Sequence, residues 1–257
     1  MILIRKMTVD KLGDSTLQSN YLNNDLGIKA KGDGTMAHAA KPAMSVVSVN
    51  VGRPREVLWH GKMVLTGIYK YPVEEPILLQ PDNFVGDQQA DLTVHGGPDK
   101  AVYVYPAAYY NEWRRELPDM DLPWGMFGEN LTMAGVSDTT VYIGDRYRIG
   151  SAEVVVTQPR IPCYKLGVRF GRDSFVKQFL QSGRNGFYFK VLRPGEITAG
   201  DAVTLLSRES HGVTVADIVR LYVRDRFDED GMRRALSSPS LPGGWREWFQ
   251  ERLDRVS

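Results

Sequence analysis

Phe187-Tyr-Phe-Lys-Val-Leu192 alternates: Phe187, Phe189 and Val191 fall on one side of an extended chain, and Tyr188, Lys190 and Leu192 on the other. A period of two is that of a strand with one buried face. The same reading fits Val47, Val49 and Val51, which alternate with Ser48 and Asn50, and Leu92 and Val94, which alternate with Thr93 and His95. Ala152-Glu-Val-Val-Val-Thr-Gln158 and Ala202-Val-Thr-Leu-Leu206 read as further strands, with turns at Gly144-Asp145, Gly150-Ser151 and Gly200-Asp201. Two helices interrupt the pattern. One starts at Pro106 and sets Tyr110, Trp113 and Leu117 on one face; the other follows Asp173, an N-cap residue, with Phe175, Val176, Phe179 and Leu180 as its apolar stripe. Short strands with few helices argue against a doubly wound parallel sheet. They predict a mainly β fold with some α, a β-barrel or folded antiparallel sheet.

Beyond about residue 210 the pattern changes. Thr214 and Asp217 are spaced as a capping box, and Val215, Ile218, Val219 and Tyr222 follow at helical spacing. A second helix is predicted around Met232–Leu236, and Trp245, Trp248, Phe249 and Arg252 open a third. An aromatic stripe at this spacing is read as core. Residues 1–43 are rich in Asp, Asn, Gly, Ser and Lys and carry no apolar period, and Lys29-Ala-Lys-Gly-Asp-Gly-Thr35 has the composition of a linker. The expected organisation is an unstructured tail, fusion remnant or miscalled start at 1–43, a β domain at 44–207, and a small three-helix segment at 208–257.

The chain has 257 residues, 42% hydrophobic and 25% charged, with a formal net charge of +1. That balance gives no pull toward nucleic acid or an anionic membrane. No run approaches the ~18 apolar residues of a membrane span. One cysteine, Cys163, forms no internal disulfide, so nothing asks for an oxidising compartment, and the cytoplasm is the expected location. Phosphate-binding loops, dinucleotide fingerprints, zinc-protease helices and nucleophile elbows are missing.

Three polar clusters remain. In Gly86-Asp-Gln-Gln-Ala-Asp-Leu-Thr-Val-His-Gly-Gly-Pro-Asp-Lys-Ala101, His95 ends a strand and Gly96-Gly97-Pro98 forces a turn with Lys100 at its exit. Such a turn suits an oxyanion, or is a polar hairpin capped by Asp99. Gly125-Met-Phe-Gly-Glu-Asn-Leu-Thr132 sets Glu129 and Asn130 beside a glycine turn, where they serve either the backbone or a ligand. In Gln158-Pro-Arg-Ile-Pro-Cys-Tyr-Lys-Leu166 two prolines stiffen the segment that holds Cys163, with Arg160 and Lys165 as neighbouring cations. A cysteine beside positive charge is the kind that ligates soft metals or attacks electrophiles; a buried inert thiol is the other reading.

Taken together, His95-Gly-Gly-Pro-Asp-Lys100, Gly128-Glu-Asn-Leu131 and Gln158-Pro-Arg-x-Pro-Cys-x-Lys165 resemble the MOSC family, and more narrowly its YiiM-like branch, the 6-hydroxylaminopurine resistance proteins. Thr66-Gly-Ile-x-Lys70, Gly86-Asp-x-Gln89 and Val141-Tyr-Ile-Gly-Asp145 match that branch too, as does a three-helix segment after the β domain. The resemblance implies a pterin-type molybdenum cofactor with Cys163 ligating the metal. Lys70, His95, Lys100, Arg160 and Lys165 become candidates for its phosphate or oxo groups, and Glu129 and Asn130 for orienting the pterin or shaping the pocket. It implies reduction of N-hydroxylated compounds, such as hydroxylaminopurine-type bases, with electrons from a partner flavin reductase. His95 is then the natural proton donor near neutral pH. The alternative is a cofactor or sulfur carrier, with Cys163 as persulfide acceptor.

Overall fold

The computed structural model describes residues 44–91 and 96–256. The expected strand at Leu92–Val94, His95 at its end, and the tail at 1–43 lie outside the described residues. Eight strands form one curled sheet: β1 (Ser45–Val51), β4 (Tyr71–Val73), β6 (Val102–Pro106), β7 (Leu131–Ala134), β8 (Arg146–Ile149), β9 (Ala152–Pro159), β10 (Phe187–Arg193) and β12 (Val203–Ser207). Their spatial order is β12-β8-β9-β10-β6-β7-β1-β4. Every neighbouring pair is antiparallel except β6 and β7, which run parallel. The sheet comes back on itself through a single bridge, Ser45 to Ala202, with Val46 N–H donating to the Asp201 carbonyl at 2.9 Å. It is thus a folded sheet pinned at one seam rather than a fully laddered barrel.

β10 carries the predicted alternation in its first half, and Val191, expected on the buried face, is only partly covered. Phe187 and Phe189 are fully buried, while Tyr188 on the opposite face is only partly covered. β1 departs from expectation. Val47 and Val51 are partly exposed, whereas Ser48 and Asn50 are buried with Val46 and Val49, and the register to β7 shifts between Val46 and Ser48. The polar side chains can be buried because they bond one another: Ser48 Oγ donates to Asn50 Oδ1 at 2.8 Å, and Asn50 Nδ2 to Thr132 Oγ1 at 3.3 Å.

The sequence reading did not assign β4, β6, β7 or β8, nor two small ladders outside the main sheet. β2 (Arg55–Trp59) and β3 (Lys62–Thr66) form a separate hairpin, turned at His60 and Gly61, whose φ values of 49° and 74° suit a two-residue turn. β5 (Ile77–Leu79) and β11 (Gly195–Ile197) make a small second ladder.

Helix α1 (Ala107–Glu116) starts one residue after Pro106, which ends β6. Its Tyr110 and Trp113 enter an aromatic core with Phe127 and with Phe175 and Phe179 of α3 (Ser174–Ser182). Asp173 precedes α3 but its side chain caps nothing; it pairs instead with His60 at the hairpin tip, 2.8 Å away. Between Cys163 and Asp173 stands an unforeseen short helix, α2 (Tyr164–Phe170), ended by Gly171 in the left-handed conformation. Phe170 stacks on Phe175 with ring centroids 3.8 Å apart, joining α2 to α3. Burying each such ring contributes about 2–3 kcal/mol.

The C-terminal helices follow the sequence reading. α4 (Val215–Val223) has the Thr214–Asp217 capping box, α5 is Glu229–Leu236, and α6 is Gly243–Val256. Trp245, Trp248 and Phe249 are buried with Tyr222, as core. α4 packs against β9, which explains why β9 is buried along nearly its whole length. Among the described residues no helix is long and apolar enough to cross a membrane.

Candidate functional site

One cavity gathers residues from all three polar clusters. Its wall includes Lys70, Lys100, Asn130, Arg160, Cys163 and Lys165. Thr66, Gly67 and Ile68, where the β2–β3 hairpin runs into the β domain, form one side; Gln89, Gly96 and the rings of Tyr103, Phe127 and Tyr188 complete it. No carboxylate is among the described residues of this wall. The seven-residue sequence Gly96 to Val102 turns through a 3-10 helix, Pro98–Lys100, and this turn brings Lys100 to the cavity.

The four cations are not equivalent. Lys70 is buried and ion-paired to buried Asp87, whose carboxylate also accepts from Gly52 N–H and from Asn130 Nδ2, each at 2.9 Å. Burial lowers the hold of Lys70 on its proton, and Asp87 works against that. Lys100 is likewise lowered by burial, with Asp99 opposing. Arg160 is 6% exposed, lies 5.3 Å from the Tyr103 ring centroid, and its Nη1 has no acceptor among the described residues. An orphaned guanidinium N–H in a cavity wall calls for an anion. Lys165 is partly exposed and forms no salt bridge among the described residues.

Cys163 is partly exposed and is the N-cap residue of α2, its carbonyl accepting from Leu166 N–H at 2.9 Å. It stands within electrostatic reach of Arg160 and Tyr188. The Tyr188 phenol is pushed up by burial and pulled back by Arg160. The rigidity expected from the two prolines is supplied here by the start of a helix. Arg160 N–H donates to the Gly186 carbonyl at 3.0 Å and Asn185 Nδ2 to the Arg160 carbonyl at 3.0 Å, fixing the segment from behind.

Asn130 lines the cavity, yet its amide is committed: Oδ1 accepts from Tyr103 N–H at 3.1 Å while Nδ2 reaches Asp87. Glu129 does not line the cavity. Its carboxylate, fully buried, accepts from Tyr110 Oη, Gly125 N–H (2.9 Å), Phe127 N–H (3.1 Å) and Thr132 Oγ1 (2.9 Å). Burial pushes this carboxyl up, and the hydrogen bonds from Tyr110, Gly125 and Thr132 pull it back. Glu129 therefore holds the 125–128 loop, in which Gly128 has φ 82° and a Cβ would come within 2.8 Å of Ile68. Glu129 thus stands behind the cavity wall and Asn130 in it. His95 lies outside the described residues. Asp87, Tyr103, Phe127 and Tyr188 were missed as site residues; for Tyr188 the strand alternation had already put it on the face opposite the core.

A MOSC domain match spans residues 91–204, and a match to the YiiM-like, 3-alpha helix domain spans residues 213–255. YflK of Bacillus subtilis (strain 168) is 43% identical over 212 residues, 82% of this chain and 96% of that protein. YiiM of Escherichia coli (strain K12) is 36% identical over 189 residues, 73% and 84% of the two chains. A protein of Gibberella moniliformis called a reductase is 34% identical over 188 residues, 72% of this chain but 33% of that one. The crystal structure of YiiM from Geobacillus stearothermophilus superposes with a TM-score of 0.69 at 34% identity, covering 82% of this chain and 99% of that one. The chain belongs to the MOSC family, in the branch that joins a MOSC domain to a YiiM-like three-helix domain.

Proposed function

We propose that the protein is a molybdenum-cofactor-dependent reductase of N-hydroxylated compounds, fed with electrons by a flavin-dependent partner reductase. The observation that carries this reading is one cavity holding the Cys163 thiol, the orphaned Arg160 Nη1 and two further cations, Lys100 and Lys165, with no carboxylate among its described residues. Those donors fit a molybdopterin: a soft thiol for the metal, charge-assisted N–H groups for the phosphate and oxo oxygens, glycine backbone at Gly96 and Gly128 for close approach, and flat rings at Tyr103, Phe127 and Tyr188 for the pterin. Family membership and the fungal relative called a reductase support an oxidoreductase.

Reducing an N-hydroxyl group breaks the N–O bond and makes an N–H bond; two electrons and two protons enter and one water leaves. The bound group supplies the electrons and an acceptor for the departing oxygen. Within this scheme Cys163 holds the metal from the rim of α2, and Arg160 and Lys100 fix the anionic part of the cofactor. Lys165, partly exposed where Arg160 is buried, would meet the substrate. Lys70 acts with Asp87 as a neutral pair that keeps the wall between Gly52 and Asn130 in place. His95 is assigned the proton delivered to the leaving oxygen.

Wild type and Cys163→Ser, expressed in a host that makes molybdenum cofactor, test the reading. Both should fold, because Ser is nearly isosteric, but the variant should lose reduction of a hydroxylaminopurine-type base with a flavin-dependent donor. Wild-type turnover surviving in the serine variant sinks the proposal. Cofactor bound without turnover, together with a labile persulfide on Cys163 by intact mass, would mark a carrier instead.

A further inference from the structure

Gln158 is the penultimate residue of β9, two residues before Arg160, and is 6% exposed. Its amide is oriented from two sides. The Trp245 indole Nε1–H donates to Gln158 Oε1 at 3.0 Å, so Nε2 faces the other way and donates to the Asp99 carbonyl at 3.1 Å. Thr157 Oγ1 lies 2.7 Å from that same carbonyl and 3.2 Å from the Tyr188 carbonyl, and its proton goes to the nearer one. Asp99 is the middle residue of the Pro98–Lys100 turn, and the turn is closed by Lys100 N–H donating to the Gly97 carbonyl at 2.9 Å.

That turn needs external fixing. It follows Gly96 and Gly97, at φ 125° and 82°, where backbone without Cβ has the most freedom to lose. Gln158 and Thr157 clamp it from β9. Trp245, in turn, stands in the first turn of α6 and is 2% exposed, packed edge-on against Tyr222 and Trp248 and stacked with Phe249. Its indole has one place to be, and so gives the Gln158 amide one orientation. A chain of two hydrogen bonds thereby runs from the three-helix domain to the turn that carries Lys100 into the cavity.

We infer that Gln158 and Trp245 are positioning residues through which the C-terminal helices set the placement of Lys100 for an anionic ligand. This rests on the reading of the cavity as a cofactor site. The helices are then part of the binding apparatus, acting through one buried amide, and not only a cover for β9.

The test uses the full chain with Gln158→Leu, Trp245→Phe and the double variant, each also in a Lys100→Ala background. Amide exchange at Lys100 N–H is followed alongside molybdenum retained after dialysis, with Val156 N–H in β9 as an internal reference. Each single variant should speed exchange at Lys100 roughly three- to tenfold, the worth of one net hydrogen bond, and the double variant should add little to either. Molybdenum retention should fall with the same pattern, and the fall should vanish when Lys100 is already alanine. Should Trp245→Phe fold poorly, Gln158→Leu cuts the same link while leaving the indole in its packing. Unchanged exchange at Lys100 in Gln158→Leu overturns the inference, as does a retention loss that persists undiminished in the Lys100→Ala background. If wild-type protein carries no molybdenum, it is the cofactor reading that falls, and the exchange data decide the relay separately.

Discussion

Lys70 and Arg160 line one cavity with the same formal charge, but their surroundings give that charge different uses. Lys70 is matched by Asp87 inside the protein, so an incoming anion finds a neutral pair. Arg160 keeps an Nη1 with no acceptor among the described residues, against aromatic rings. Lys100 is enclosed enough for burial to weaken its hold on a proton, and a ligand phosphate would restore it. Lys100→Ala should leave the fold intact and weaken retention of molybdenum about tenfold to a hundredfold, because a charge-assisted hydrogen bond is worth roughly 1.5–3 kcal/mol. Full occupancy in that variant, measured by metal analysis after dialysis, would reduce the glycine turn to a structural feature. The residue types of this site were legible in the sequence; their division of labour was not. Nothing in Gly128-Glu-Asn-Leu131 tells that Glu129 turns away to bind the 125–128 backbone while Asn130 faces the cavity with its amide already committed.

At the scale of elements, periodicity located α1, α3 and α4, each with one apolar and one wet face, and the first half of β10. It passed over β8, whose four residues alternate in the same way. It also failed where the faces are not so divided. β1 buries its serine and asparagine because they satisfy one another, which no hydropathy pattern records. The hairpin at 55–66 shows Leu58 and Met63, directly paired, to solvent, so its outer face looks like a core face in the sequence. α2 is seven residues long, with a glycine inside and two prolines just before it. The link between β10 and the Arg160 segment has its own consequence. Asp138, fully buried, accepts from the backbone N–H groups of Asn185 (2.8 Å) and Gly186 (3.1 Å), the turn that backs Arg160. Burial raises its carboxyl to about 7. Tyr109 on α1 is the titratable group in contact, and burial keeps its phenol protonated throughout this range. With the folded value above the ordinary one of about 3.9, the contribution of Asp138 to stability is full below about pH 4 and is lost as pH rises through about 7. The melting temperature should therefore drop between about pH 5 and pH 8, and Asp138→Asn should flatten that drop while lowering stability throughout. An equal slope in both proteins would show that Asp138 stays ionised.

For the whole molecule, the mainly β fold and the three C-terminal helices were readable because each helix carries its own cap or aromatic stripe. The parallel pairing of β6 with β7, and the seam from Ser45 to Ala202, join residues too distant along the chain for local pattern to register. The cavity lies where that folding brings three separated turns together, and its described wall holds cations without a carboxylate. That imbalance acts before any contact is made. An anion approaching the mouth is drawn by the unscreened part of the field, so its rate of entry should fall steeply as ionic strength rises. Departure is governed instead by buried groups such as Arg160, which salt scarcely reaches. Stopped-flow mixing of apo protein with extracted cofactor, at low and high salt, should thus show an association rate that changes and a dissociation rate that stays nearly constant; the opposite pattern would mean that the cavity selects its anion by fit alone.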